Sequence, residues 1–153
     1  MAIHCGVIRP ILESAVQSWC PYLLKDIEEL EKVQHRVTKL VPGMSDWTYE
    51  ARCKELKLPT LKQRRLRGDL IETYKILRGH EGADYRKFFE LNVGITRGNV
   101  WKLKKNEHIT SQVREGWFSY RVVNPWNELP DNVVDAPSIK TFKRRLDEYL
   151  DLS

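Results

Sequence analysis

Between Thr60 and His80 the chain reads TLKQRRLRGDLIETYKILRGH, with apolar side chains at Leu61, Leu66, Leu70, Ile71, Tyr74 and Leu77. That spacing gathers them on one face of a helix, and a strand, which alternates every second residue, cannot collect them. Thr60 stands where an N-cap oxygen is needed, and Gly79 where a helix exit needs a residue without a Cβ. A helix with one apolar face has to bury it, so the rest of the chain must supply matching faces.

The flanking sequence supplies them with the same period. GVIRPILESAVQSWCPY places Val7, Ile11, Leu12, Ala15, Val16 and Trp19 on one stripe, with Pro10 in its first turn and Pro21 ending it. KDIEELEKVQHRVTKLV, Lys25 to Val41, carries Ile27, Leu30, Val33 (or Gln34), Val37 and Leu40, and Pro42-Gly43 stops it. Asp26 in its first turn and Lys39 in its last complement the helix dipole. A short helix is expected over Thr48–Leu58, capped by Thr48. NVGITRGNVWKLKKNEHIT then alternates Val100, Lys102 and Lys104 against Trp101 and Leu103, the pattern of an extended segment. From Ser111 a helical stripe returns at Phe118, Val122, Trp126 and Leu129, and Pro125 predicts a break or a second short helix starting there. Ser138 caps a last helix with Ile139, Phe142, Leu146, Tyr149 and Leu150 facing inward.

The expected fold is mainly α: an irregular bundle of about six helices with one extended basic segment or short hairpin. Three stretches are expected, 1–44 and 45–92 as helical parts and 93–153 as a C-terminal extension. The first helix follows Met1 almost without a linker, which predicts further material upstream.

With 41% hydrophobic and 10% aromatic residues among 153, the chain can build a core. No apolar run approaches the ~20 residues that a membrane-spanning helix needs. No signal-peptide pattern opens it, so the chain reads as intracellular, nuclear or cytoplasmic. Cys5, Cys20 and Cys53 are few and far apart and read as reduced thiols. No Cys or His pair has metal-ligand spacing apart from the adjacent His4 and Cys5, so no metal site or cofactor is expected. Phosphate loops, zinc-protease and nucleophile-elbow motifs are absent, and no catalytic residue is assigned.

The charge pattern says more. Lys+Arg number 26 against Asp+Glu 21, a net charge of +5. Cations cluster at Lys62, Arg64, Arg65 and Arg67; at Arg97, Lys102, Lys104 and Lys105 around Trp101; and at Lys140, Lys143, Arg144 and Arg145. Lys and Arg release counterions from phosphates, and a neighbouring aromatic can stack on an unpaired base. Solvated helix faces would explain each cluster singly; three together point toward nucleic acid. The dense stretch WFSYRVVNPWNELP, Trp117–Pro130, reads first as core, because Phe118, Val122, Trp126 and Leu129 share a stripe. Arg121 lies beside that stripe, and Trp117 is the aromatic it explains least.

Four motifs add a family likeness: R-P-x-L-E-x-A-x-x-x-W from Arg9, D-I-x-x-L-E-x-V-Q-x-R from Asp26, L-R-G-D-L-I-E-x-Y-K-I from Leu66 and R-V-V-x-x-W-N-x-L-P from Arg121. In order, from about Val7 to Tyr149, the chain resembles the C-terminal, thumb and post-thumb region of reverse transcriptases of non-LTR (LINE-type, jockey-like) retrotransposons. Arg9, Pro10, Glu13, Trp19, Gln34, Arg36, Arg67, Gly68, Asp69, Arg121, Trp126, Asn127 and Pro130 match; Ser14 stands where the family usually has Tyr, and Val37 where it usually has Ala. The resemblance implies an RNA-directed DNA polymerase parent whose catalytic palm holds paired aspartates. This chain has no Asp-Asp pair, and resembles neither the palm nor the endonuclease domain. No enzymatic activity is therefore expected of the chain alone. Expected partners are RNA or an RNA–DNA hybrid, target DNA as a third candidate, and the missing palm, with no membrane and with self-association through the first helix. Arg36, Lys62, Arg64, Arg65, Arg67, Trp101, Lys102, Lys104, Lys105, Arg121, Lys143, Arg144 and Arg145 are the expected nucleic-acid-binding residues. The alternatives are a protein-interaction module and a remnant without function.

Overall fold

The computed structural model describes residues 24–80, 82, 84–92, 99–105 and 116–152. The helix expected over Val7–Trp19, Cys5, Cys20, Arg97 and the Ser111 helix start lie outside the described residues. The fold is mainly α. Among the described residues the helices are α1 (Leu24–Lys39), α2 (Tyr49–Glu55), α3 (Leu61–Leu77), α4 (Phe118–Arg121), α5 (Val123–Asn127), α6 (Asp131–Val134) and α7 (Ile139–Tyr149), with a 3-10 turn at Tyr85–Lys87. Two compact units divide between Arg65 and Leu66, inside α3, a different cut from 44/45 and 92/93.

The caps explain why these helices start where they do. Thr48 Oγ1 accepts from Ala51 N at 3.3 Å, and Ser138 Oγ from Thr141 N at 3.2 Å. Thr60 and Gln63 form a reciprocal box: Thr60 Oγ1 accepts from Gln63 N at 3.1 Å, while Gln63 Oε1 accepts from Thr60 N at 2.9 Å. At the other end of α3, Gly79 has φ +72°. Gly79 N donates to Ile76 O and His80 N to Lys75 O, the paired bonds that close a helix on a left-handed residue.

In the first unit Ile27, Leu30, Val33 and Val37 of the expected α1 stripe are half-buried, and Gln34, the alternative to Val33, is fully buried. Leu40 is 81% exposed, because α1 ends at Lys39 and Leu40 falls in the following turn. The deepest positions are polar: Gln34 and Thr38, four residues apart and fully buried. Gln34 Nε2 donates to Tyr49 Oη and to Pro59 O, both at 3.1 Å. Thr38 Oγ1 accepts from Arg52 Nε at 3.1 Å, and Arg52 also donates to Trp47 O. Arg52 is thus a buried cation held by neutral oxygens, and its Nη2 has no partner. Tyr49 Oη donates to Glu31, whose Oε1 also accepts from Leu61 N at 3.1 Å and so holds the start of α3. Burial above all, and then the Glu31 bond, push the Tyr49 phenol well above its ordinary range.

The second unit has an aromatic-aliphatic core. Leu70, Tyr74 and Leu77 of α3, Val122, Trp126 and Leu129, and Phe142 and Leu146 of α7 are buried together. Tyr74 stacks on Phe142 at 4.3 Å, and its hydroxyl donates to Ala136 O at 2.7 Å. Tyr149, expected inward, is 46% exposed, because it lies at the last position of α7. Pro125 sits in the first turn of α5, where its missing N–H costs nothing; the break falls earlier, at Val122. The extended segment is pinned by one antiparallel bridge, Leu91 to Leu103.

Candidate nucleic-acid interface

The R-G-D step of α3 turns inward by helical spacing. Leu61, Arg65, Asp69 and Thr73 follow each other at four-residue intervals, and all four are buried. Arg65 is 5% exposed and its Nη2 is buried without a partner. A phosphate cannot reach it there, which corrects its expected surface role. Asp69, 6% exposed at its side chain, receives Arg121 Nε at 2.8 Å and Nη2 at 2.9 Å. Arg121 Nη1 also donates to Gly116 O at 2.8 Å. Arg67 makes a second fork, to Asp147 at 2.5 and 2.9 Å. Two charge-assisted forks thus tie α3 to α4 and to α7, and engage both arginines with carboxylates. Arg145 donates to Asn132 O, another internal role.

The late motif works on the extended segment. Trp126 Nε1 donates to Trp101 O at 2.9 Å. Asn127 Nδ2 donates to Leu103 O and Asn127 Oδ1 accepts from Leu103 N, both at 2.8 Å, so this side chain pairs with the backbone as a strand would. Pro130 begins α6 as its N-cap, its carbonyl accepting from Val133 N and Val134 N. On the opposite edge Asn92 N donates to Lys102 O at 2.8 Å and Lys104 N to Glu90 O at 2.7 Å. The segment is therefore rigidly placed, with Leu103 1% exposed, Lys102 half-buried, and Lys104 and Lys105 outward. Lys104 Nζ pairs with Glu90 at 2.8 Å. The Arg78 guanidinium lies over the Trp101 ring, 4.6 Å from its centroid. One face of that indole is occupied from within, which limits Trp101 as a stacking platform.

The remaining expected residues are on the surface. Lys62 is exposed and Arg64 half-buried near the start of α3. Arg36 shares an exposed row of α1 with Lys32 and Lys39; Lys32 binds Glu29 at 2.6 Å and holds that carboxyl below its usual range. On α7, Lys143 and Arg144 are exposed beside Lys140, and Arg144 pairs with Glu148 at 2.7 Å. Lys102, Lys104 and Lys105 are brought together on one segment of the second unit, and Lys143 and Arg144 on one helix; Arg36, Lys62 and Arg64 belong to the first unit. Sequence reasoning left two aromatics out of the site. Trp117 is 58% exposed, and the Lys105 Nζ lies 5.4 Å from the centre of the Tyr120 ring. The signal for Trp117 was its place just outside the apolar stripe; Tyr120 gave none.

No group of three or more His, Cys, Asp or Glu side chains among the described residues could hold a metal ion. No helix among them is long and apolar enough to cross a membrane. Cys53 is a free buried thiol. Comparison with protein-family models, with curated proteins and with solved structures found no match.

Proposed function

We propose that this chain is a nucleic-acid-binding thumb and post-thumb region of a non-LTR retrotransposon reverse transcriptase, without catalytic activity of its own. The observation that carries the reading is the ordered resemblance through four motifs from Arg9 to Pro130. A division of labour among its cations supports it. Arg121 joins two motifs through Asp69 and Arg67 holds Asp147 of α7, while Arg36, Lys62, Lys104, Lys105, Lys140, Lys143 and Arg144 stay on the surface where phosphates can reach them. The ligand class is RNA or an RNA–DNA hybrid, with target DNA third, and the protein partner is the polymerase palm.

A protein-interaction reading has its own observation. Leu40 and Trp47, 81% and 45% exposed, flank the Pro42-Gly43 turn with apolar surface.

The test is salt-titrated fluorescence anisotropy of the full chain with single-stranded RNA, single-stranded DNA and an RNA–DNA hybrid. The expected result is binding that weakens with salt by a log–log slope of about 0.7 per phosphate contact on single strands. Replacing Lys140, Lys143 and Arg144 with Gln lowers that slope. A folded chain that binds none of the three at low salt refutes the reading, and concentration-dependent self-association in the same samples then favours the apolar surface.

A further inference from the structure

The geometry points to a clamp for one backbone phosphate, made by the Lys105 ammonium and the Tyr120 hydroxyl; this rests on the nucleic-acid reading above and gives it a contact point. Lys105 Nζ lies 5.4 Å from the centre of the Tyr120 ring. A ring face attracts an ammonium without using up its three N–H donors. Lys105 is exposed and has no ion pair among the described residues, whereas Lys104 turns to Glu90 at 2.8 Å. Neighbouring side chains of an extended segment leave it on opposite sides, so the two lysines serve different contacts.

Both members of the pair are set from within. Asn127 exchanges two bonds with the Leu103 backbone, and Trp126 Nε1 holds Trp101 O, so the segment is pinned two residues before Lys105. Tyr120 N donates to Trp117 O at 2.9 Å, and the next residue, Arg121, is forked onto the buried Asp69. The late motif thus has a second consequence: its Arg121, Trp126 and Asn127 hold the two elements whose surface residues meet. Donors placed beforehand lose little freedom when an anion arrives.

The donors choose the ligand. The Tyr120 hydroxyl has no hydrogen bond among the described residues, and it stands on the ring that faces the ammonium. One cationic donor and one neutral donor side by side suit an anion with several acceptor oxygens on one centre. A phosphodiester presents two such oxygens to a protein surface, and hydroxyls and ammonium groups are its ordinary partners.

The test titrates the full chain with short single-stranded RNA and DNA, with the same DNA carrying uncharged methylphosphonate linkages, and with a polyglutamate peptide of equal charge. Lys105→Gln should weaken binding to the charged strands by roughly 3-fold and lower the log–log salt slope by about 0.7, one phosphate contact. Tyr120→Phe keeps the ring beneath the ammonium. It should weaken binding by roughly 3-fold and leave the slope unchanged, because a hydroxyl releases no counterion. The double variant should lose less than the product of the two, since both groups hold one phosphate. On the uncharged strand Lys105→Gln should make no difference. A lower slope for Lys105→Gln with wild-type affinity for Tyr120→Phe would leave a lone lysine and overturn the clamp, with the wider reading standing. The peptide binding as tightly as the strands and responding to both variants would give the pair to carboxylates and overturn it as well. A folded chain that binds neither RNA nor DNA overturns both readings.

Discussion

Replacing Arg121 with Met would strand the Asp69 carboxylate at 6% side-chain exposure. The native fork gives that carboxylate two charge-assisted bonds, at 2.8 and 2.9 Å. Such bonds contribute about 1.5–3 kcal/mol each, and removing one partner of a buried pair costs about 3–5 kcal/mol. Asp69→Ala should cost less, roughly 2–3 kcal/mol, because Arg121 at 18% side-chain exposure keeps some water and its bond to Gly116 O. The double variant removes both charges and should fall short of the sum of the two losses by about 1–3 kcal/mol. Glu90→Ala is the control. It breaks a pair whose side chains are 56% and 70% exposed, and should cost no more than about 1 kcal/mol. Urea unfolding of the four variants, followed by near-ultraviolet circular dichroism, reads all of this. Single losses below about 1 kcal/mol that simply add would refute a buried, coupled fork.

Asn127→Ala should unpair both backbone groups of Leu103, costing roughly 2–4 kcal/mol and raising amide exchange at Leu103; exchange unchanged there would contradict the side-chain pairing. Tyr49 gives a pH signature. The folded state holds its phenol neutral, while an unfolded chain would release that proton near pH 10, at about the ordinary tyrosine value. The stability this group supplies is thus complete below about pH 10 and is lost as pH rises beyond it. Tyr49→Phe should flatten the alkaline fall in stability, and identical slopes for both proteins would count against the buried phenol.

The helices were legible where the signal is local. Thr48, Thr60 and Ser138 cap as their types and positions predict, and Gly79 ends α3, because those bonds close within a few residues. The core role of Val122, Trp126 and Leu129 was legible from their spacing. What sequence could not give was long-range pairing. Asp69 and Arg121 are 52 residues apart, and Arg67 and Asp147 are 80 apart. A basic run on paper is equally a solvated face or half of two ion pairs, and only the fold decides. Thr38 was hidden for a related reason: a search for apolar stripes passes over a polar side chain that buries by bonding to Arg52, whereas Gln34 stood on the α1 stripe as the alternative to Val33. For the candidate site the lysines were legible as charge, and Trp117 by its place outside the stripe that turns Phe118 inward, whereas the contact of Lys105 with Tyr120 depended on the fold.

The most direct measurement is a nuclear magnetic resonance titration of the full isotopically labelled chain with a short single-stranded RNA. The account predicts shifts at Lys104 and Lys105 and along the exposed rows of Arg36 and Lys143, with the Asp69–Arg121 and Arg67–Asp147 forks unchanged. A folded chain whose spectrum does not move, or one in which the RNA opens those forks while the lysines stay still, would contradict it.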